Sequence, residues 1–266
     1  SLQQNKKYSD LLCVPFYLNL IVSGGFVEEN INDENNFRNL IWERIICLKD
    51  KCKKYGVLQS DVRNTVERIV FERASRFVVG VDSDIVDSDI LEALKSEEII
   101  VESRNKIRLK YDIFEDICFE RYIDKAFDVC HGSYNVFFDE IEKIGRCIYR
   151  RYQIWISNKL FVQEAREKFV YTLLTDNSIE AKWKKQTEIG IVKSKYCGLF
   201  FKEFQELLDE TVVEELLDIT NLYAFEAKIN HSPALIMNVT PIGAARKNLI
   251  GMVFEERISL DKNRTS

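Results

Sequence analysis

Proline and glycine are scarce, with 3 Pro and 10 Gly in 266 residues. A fold built on tight turns needs both, so long helices are favoured instead. Histidine is scarcer still, with 2 in the chain, and none of the 7 cysteines forms a Cys-x-x-Cys pair. Neither a zinc cage nor a disulfide framework is therefore indicated. The cysteines, at 13, 47, 52, 118, 130, 147 and 197, read as reduced thiols of a cytoplasmic protein, several on apolar helix faces. No apolar run approaches the roughly 20 residues of a membrane span. The greasiest stretch, Leu11 to Val22, is interrupted by Pro15 and Asn19 and lacks a small-residue cleavage pattern, so neither a membrane partner nor a secretory signal is expected. The chain starts at Ser rather than Met, and more protein is expected upstream.

What is present is a globular balance, 46% hydrophobic and 30% charged. The net charge of -5, from 38 basic and 43 acidic residues, argues against a nucleic-acid coat but allows a local basic patch. Helical periodicity predicts helices over 9–23 (closed by Gly24-Gly25), 37–54 and 60–77, with an acidic, Asn-rich linker from Glu28 to Asn36. The second helix carries Phe37, Leu40, Ile41, Ile45 and Leu48 on one stripe. The third carries Val62, Val66, Ile69, Val70 and Phe77, with Ser60 or Asp61 as its cap. A short helix over 84–95 precedes two strands, 98–103 and 106–110, joined at Arg104-Asn105, where Asn tolerates positive φ. A helix over 112–129 follows. Three helices and a two-stranded wing are the order of a winged-helix domain. Beyond residue 132, amphipathic helices are predicted at 134–145, 146–161, 162–175, 179–193, 197–208, 211–229 and 241–257. Trp155 and Trp183 hold comparable places in successive helix pairs, which points to a solenoid-like helical repeat. A sensing groove lined by those rings is the competing reading.

Catalytic chemistry finds little footing. No Gly-rich phosphate loop ending in Lys-Ser or Lys-Thr exists, and Gly190 and Gly243 read as turn or packing positions. His131 and His231 read as loop residues rather than catalytic bases. The carboxylates Glu115/Asp116 and Asp139/Glu140/Glu142 read as solvated helix faces. The stretch that would read a DNA groove, Val81 to Glu98, holds Asp82, Asp84, Asp87, Asp89, Glu92, Glu97 and Glu98 against Lys95 alone. Phosphate would repel it, although the wing is basic at Arg104, Lys106, Arg108 and Lys110, so DNA is not expected as a partner.

The run Ile107-Arg-Leu-Lys-Tyr-Asp-Ile-Phe-Glu-Asp-Ile-Cys-Phe-Glu-Arg-Tyr-Ile123 resembles the end of the winged helix in bacterial STAND NTPases, the NACHT- and NB-ARC-like signal-transduction ATPases with numerous domains. There a strand enters a His-Asp pair and then an apolar helix. Leu11-Leu-Cys-Val-Pro-Phe-Tyr-Leu-Asn-Leu20 is similar to the family helix that closes the nucleotide-binding module, and the stretches at Ile148 to Trp155 and at Trp183 resemble the helical repeats that follow. The resemblance implies a switch in which an upstream ATPase core holds ADP or ATP with magnesium. It places Pro15 near the adenine and sets Tyr111-Asp112 where the family has His-Asp near the β-phosphate. Tyr stands in for His here, and a phenol can still donate one hydrogen bond. From the residues alone, Pro15 reads as a helix-start proline and Asp112 as a helix cap.

The expected architecture is mostly α. Residues 1–56 form a helical lead-in ending an NTPase module, 57–130 a winged-helix domain with a small β-wing, and 131–266 a helical-repeat region. The expected role is a non-catalytic regulatory or sensor fragment with no cofactor of its own, acting in autoinhibition, oligomer assembly or ligand sensing. It would be partnered by the upstream NTPase module and a protein ligand, in bacterial defence signalling. The rival readings are a winged-helix DNA-binding regulator and an enzyme with a site in the helical half.

Overall fold

The computed structural model describes residues 15–22, 34–204, 206–229, 245 and 249. Cys13, Gly24-Gly25, His231, Gly243 and, apart from residues 245 and 249, the expected helix over 241–257 lie outside them. The chain is mostly helical with one small antiparallel sheet, and it divides into two compact units, up to Cys118 and from Phe119 on. No helix among the described residues is long and apolar enough to cross a membrane.

In the first unit, α1 spans Pro15–Val22 and α2 spans Glu34–Leu40, running on as a π-helix over Ile41–Ile46. The wider turn rotates the buried face: Phe37, Ile41, Trp42 and Ile46 are buried, while Leu40 and Ile45 from the predicted stripe are only half-buried. The predicted continuation to residue 54 breaks at Leu48 (φ 52°), and α3 is a separate turn, Cys52–Tyr55, ended by Gly56 at φ 69°.

Helix α4, Gln59–Arg76, buries Val62, Val66, Ile69 and Val70. Its N-cap is Leu58 and makes no side-chain capping bond, so neither Ser60 nor Asp61 is the cap. Phe77, expected on the apolar stripe, instead ends the helix in the left-handed region (φ 54°) and is 75% exposed. A one-turn 3₁₀ segment, Ser83–Ile85, precedes α5, Ser88–Ser96. The start of α5 is set by Asp87, whose carboxylate accepts from Asp89 N at 2.9 Å and Ile90 N at 3.4 Å. The two predicted strands form as β2 (Ile100–Ser103) and β3 (Lys106–Leu109), and Arg104 and Asn105 take φ 53° and 61° in the turn. A strand the periodicity missed, β1 at Val81–Asp82, pairs with the far side of β3, so the sheet order is β1-β3-β2. Two residues are too few to show alternation, which is why no pattern announced it.

Helix α6 runs from Asp112 to Val129. In the second unit follow α7 (Tyr134–Glu142), α8 (Ile148–Lys159), α9 (Gln163–Ala165), a π-helical turn (Arg166–Val170) and α10 (Tyr171–Thr175). Then come α11 (Ala181–Lys193), α12 (Cys197–Phe204) and α13 (Glu210–Ile229). The core is aromatic: Phe127 meets Phe169 at 4.5 Å between ring centroids, and Phe138 stacks on Trp183 at 4.6 Å. Trp155 and Trp183 are 2% and 1% exposed, so both belong to the core rather than to a groove. Burying one such ring contributes on the order of 3 kcal/mol. Helices α8 and α11 pack closely at Gly190. Inside that contact Tyr152 donates to Thr187 Oγ1 at 2.8 Å, and Thr187 donates to the Trp183 carbonyl at 2.9 Å. Arg166, buried, bonds the Leu160 carbonyl at 2.8 Å and Glu203 at 2.6 Å, which satisfies the end of α8 with a charged group.

Candidate functional site

The two stretches singled out by the resemblance meet at one edge of the first unit. Pro15, exposed, opens α1, where a proline loses no helical hydrogen bond. Its neighbour Phe16 lies 5.0 Å from the Tyr111 ring and 5.5 Å from Phe114, and Tyr111 and Phe114 meet edge-on at 5.4 Å. Tyr17 anchors the same helix, accepting from Arg38 at 2.8 Å and packing on Phe37 at 5.2 Å. Tyr111 is 39% exposed with the Lys110 ammonium 5.3 Å from its ring centre, and Asp112, exposed, is the first residue of α6. Among the described residues the edge offers an aromatic surface and the Tyr111 hydroxyl but no cradle of backbone amides.

The β2–β3 turn and α5 carry the charges that bear on nucleic acid. Of the four wing bases, Lys106 pairs with Asp82 at 2.6 Å and Lys110 with Glu98 at 2.5 Å. Arg108 turns one N–H onto the Leu109 carbonyl at 3.2 Å, and Arg104 has no hydrogen-bond or ionic partner among the described residues. Two cations, not four, remain for phosphate. Asp84, Asp89 and Glu92 stay exposed on the α5 side without an ionic partner among the described residues. Two against three is a poor footing for groove binding.

Five carboxylates away from that edge are buried or held by partners. Glu115, expected on a solvated face, is 5% exposed and ion-paired with Arg73, which also bonds the Val79 carbonyl at 3.1 Å. Glu140 and Glu142 are likewise committed: Lys143 pairs with the Glu140 carboxylate, which also accepts from Tyr122 at 3.3 Å, and Lys182 pairs with Glu142 at 2.7 Å. Glu97 gathers Lys51, Lys54 at 3.1 Å and Tyr55 at 2.7 Å. Burial works against its charge, but those three donors outweigh it and hold the carboxyl at about 2. Glu188 on α11 is 3% exposed. Burial pushes it up to about 7, and the neighbouring carboxylate of Glu215 on α13 adds to this, against the Lys185 ammonium 3.6 Å away. The one signal in the sequence was the run Ile189-Gly-Ile-Val192, which leaves that part of α11 no wet face.

His131 sits exposed in the loop after α6 at φ 46°, as a loop residue does. Among the described residues no group of three or more His, Cys, Asp or Glu could hold a metal ion. The described cysteines, 47, 52, 118, 130, 147 and 197, are all free thiols. No family model matches the chain. A stretch of 97 residues, 36% of the chain, is 32% identical to leucine–tRNA ligase 1 of Sulfurisphaera tokodaii, and the match covers 10% of that enzyme's length. So small a share carries no activity across to this chain.

Proposed function

We propose that this chain is a non-catalytic regulatory module of the STAND ATPase type, acting in autoinhibition, oligomer assembly or ligand sensing, with the nucleotide and magnesium held by an upstream module. The observation that carries the reading is the contact of Phe16 with Tyr111 and Phe114. It joins the helix that bears Pro15 to the segment that bears Tyr111-Asp112, the two stretches in which the family's motifs fall. The order α4, β1, 3₁₀ turn, α5, β2, β3, with β1 beside β3, supports a winged helix in the first unit. The α8–α11 packing with its Tyr152–Thr187 and Gln153–Gln186 bonds supports stacked helix pairs in the second. Free cysteines suit a cytoplasmic setting, and defence signalling is the role such modules would serve.

The test has two arms. Calorimetry of the 266-residue chain with ATP or ADP and magnesium should show no binding tighter than about 10 μM, roughly 7 kcal/mol, because the phosphate cradle is missing. The protein extended upstream should hydrolyse ATP, and Phe16→Ala or Tyr111→Phe in it should change the rate of ADP release. Tight binding by the chain alone, or an upstream region without a phosphate loop, overturns the reading.

A further inference from the structure

On the first unit, the solvent side of the sheet and the segment before β1 enclose a groove of about 710 Å³, lined among others by Val78, Val79, Val101, Arg104, Lys106 and Arg108. Its apolar wall is a run that a monomer has no reason to leave wet. Phe77 is 75% exposed, Val78 40% and Val79 81%. Phe77 takes a left-handed backbone that normally favours glycine, and so leaves the apolar stripe of α4. Gly80 then lets the chain close onto β3: a Cβ there would stand 3.0 Å from the Ile107 carbonyl oxygen and 3.2 Å from Lys106 Cβ. This brings the valines alongside the outer face of the hairpin, where Val101 is paired with Arg108 and Ser103 with Lys106.

The charges in the groove do not cancel. Lys106 is neutralised by Asp82, and the groove's Glu102 by Lys95, leaving the guanidiniums of Arg104 and Arg108 without a carboxylate among the described residues. A guanidinium fork matches a carboxylate with two parallel N–H bonds, and the valines beside it match aliphatic side chains. We propose that this groove is a docking site for an extended segment of a partner protein in which acidic and aliphatic side chains alternate. The alternation follows from the pleat, since a strand laid here presents every second side chain to the face that holds Arg104 and Arg108. A nucleic-acid backbone fits less well, because it has nothing for Phe77, Val78 and Val79 to bury. The apolar run extends past the lining to Phe77, which favours a chain segment over a compact small molecule.

Fluorescence polarisation of the whole chain with a labelled acetyl-(Glu-Val)4 peptide tests this. Saturable binding is expected, with a Kd on the order of 100 μM that weakens several-fold as salt rises. The double variant R104E/R108E should weaken it at least about tenfold, and Val79→Asp, at an exposed position, at least about fivefold. Melting temperatures of both should stay at the parent value, and valine-methyl resonances of Val78, Val79 and Val101 should shift on titration. The proposal is overturned if (Lys-Val)4 binds as well, if no saturation occurs up to about 1 mM, or if either variant binds like the parent. A 16-base-pair duplex that binds more tightly than the peptide, with Val79→Asp leaving that binding unchanged, would assign the groove to nucleic acid instead.

Discussion

Gly190 offers a case in which two effects of opposite sign can be weighed from the structure. It lies in the middle of α11, where Gly→Ala on an exposed helix would stabilise by about 1 kcal/mol through backbone entropy. Here the added methyl would stand 2.9 Å from Ile156 Cγ2, 3.0 Å from Ile156 Cβ and 3.0 Å from the Gln153 carbonyl oxygen. None of these yields cheaply. The carbonyl belongs to the α8 backbone, and Ile156 is β-branched and fully buried, with a single favoured χ1 in a helix. Overpacking of this kind costs about 1–3 kcal/mol, and because the obstacle is partly backbone the upper half of that range applies. Gly190→Ala should therefore destabilise by about 1–2 kcal/mol net, some 2–8 °C in Tm for a domain of this size. Urea unfolding followed by tryptophan fluorescence reads it directly, since Trp155 and Trp183 lie in the same unit. Lys184→Ala on the same helix serves as the control. Ile156→Ala removes the offending Cγ2, so in the Gly190→Ala background it should cost less than in the parent, with a favourable coupling of about 0.5–1.5 kcal/mol. A Gly190→Ala midpoint equal to or above the parent's would refute the close approach of α8 and α11.

The tryptophan cores supply a second test: Trp155→Ala and Trp183→Ala should each cost about 3–5 kcal/mol, and unchanged melting temperatures would mean the rings are not packed as described. Their phenylalanine variants should differ, because Trp155 donates to Asp124 at 2.7 Å whereas the buried Trp183 indole N–H has no partner among the described residues. Trp155→Phe is expected to be the costlier by about 1 kcal/mol. Glu188 titrates upward, so its folded state holds a proton that the unfolded state releases, and stability falls as pH rises from 4.5 to about 7. Glu188→Gln should thus match the parent near pH 4.5 and exceed it by about 1–3 kcal/mol at pH 8, and equal urea midpoints at pH 8 would sink this reading. Glu97 runs the other way: its lowered carboxyl stabilises above pH 4.5, and that contribution is lost as pH falls towards 2. Glu97→Gln should cost about 1 kcal/mol at pH 7, after discounting for solvent screening, with a smaller gap at pH 3.

Much of the helical framework was legible because long apolar stripes of period 3.6 are local information. α4, α6 and the helices from α7 to α13 lie close to where periodicity predicts them, and the β2–β3 turn falls on Arg104-Asn105. That Trp155 and Trp183 are core residues also followed from their apolar neighbours. What the chain alone could not announce depends on partners distant in sequence. The π-helical turn over 41–46 shifts the buried face of α2, and no single-helix pattern encodes that shift. Strand β1 exists only because β3 offers its far edge. Glu115 is buried because Arg73, 42 residues earlier, meets it, and Glu188 because α13 covers α11. The meeting of Phe16 with Tyr111, and the groove between Val78-Val79 and the hairpin, were likewise settled by tertiary packing. Periodicity reports which face of an element is apolar; which charges become buried, and where two surfaces enclose a site, is decided by long-range contacts that only the folded chain brings together.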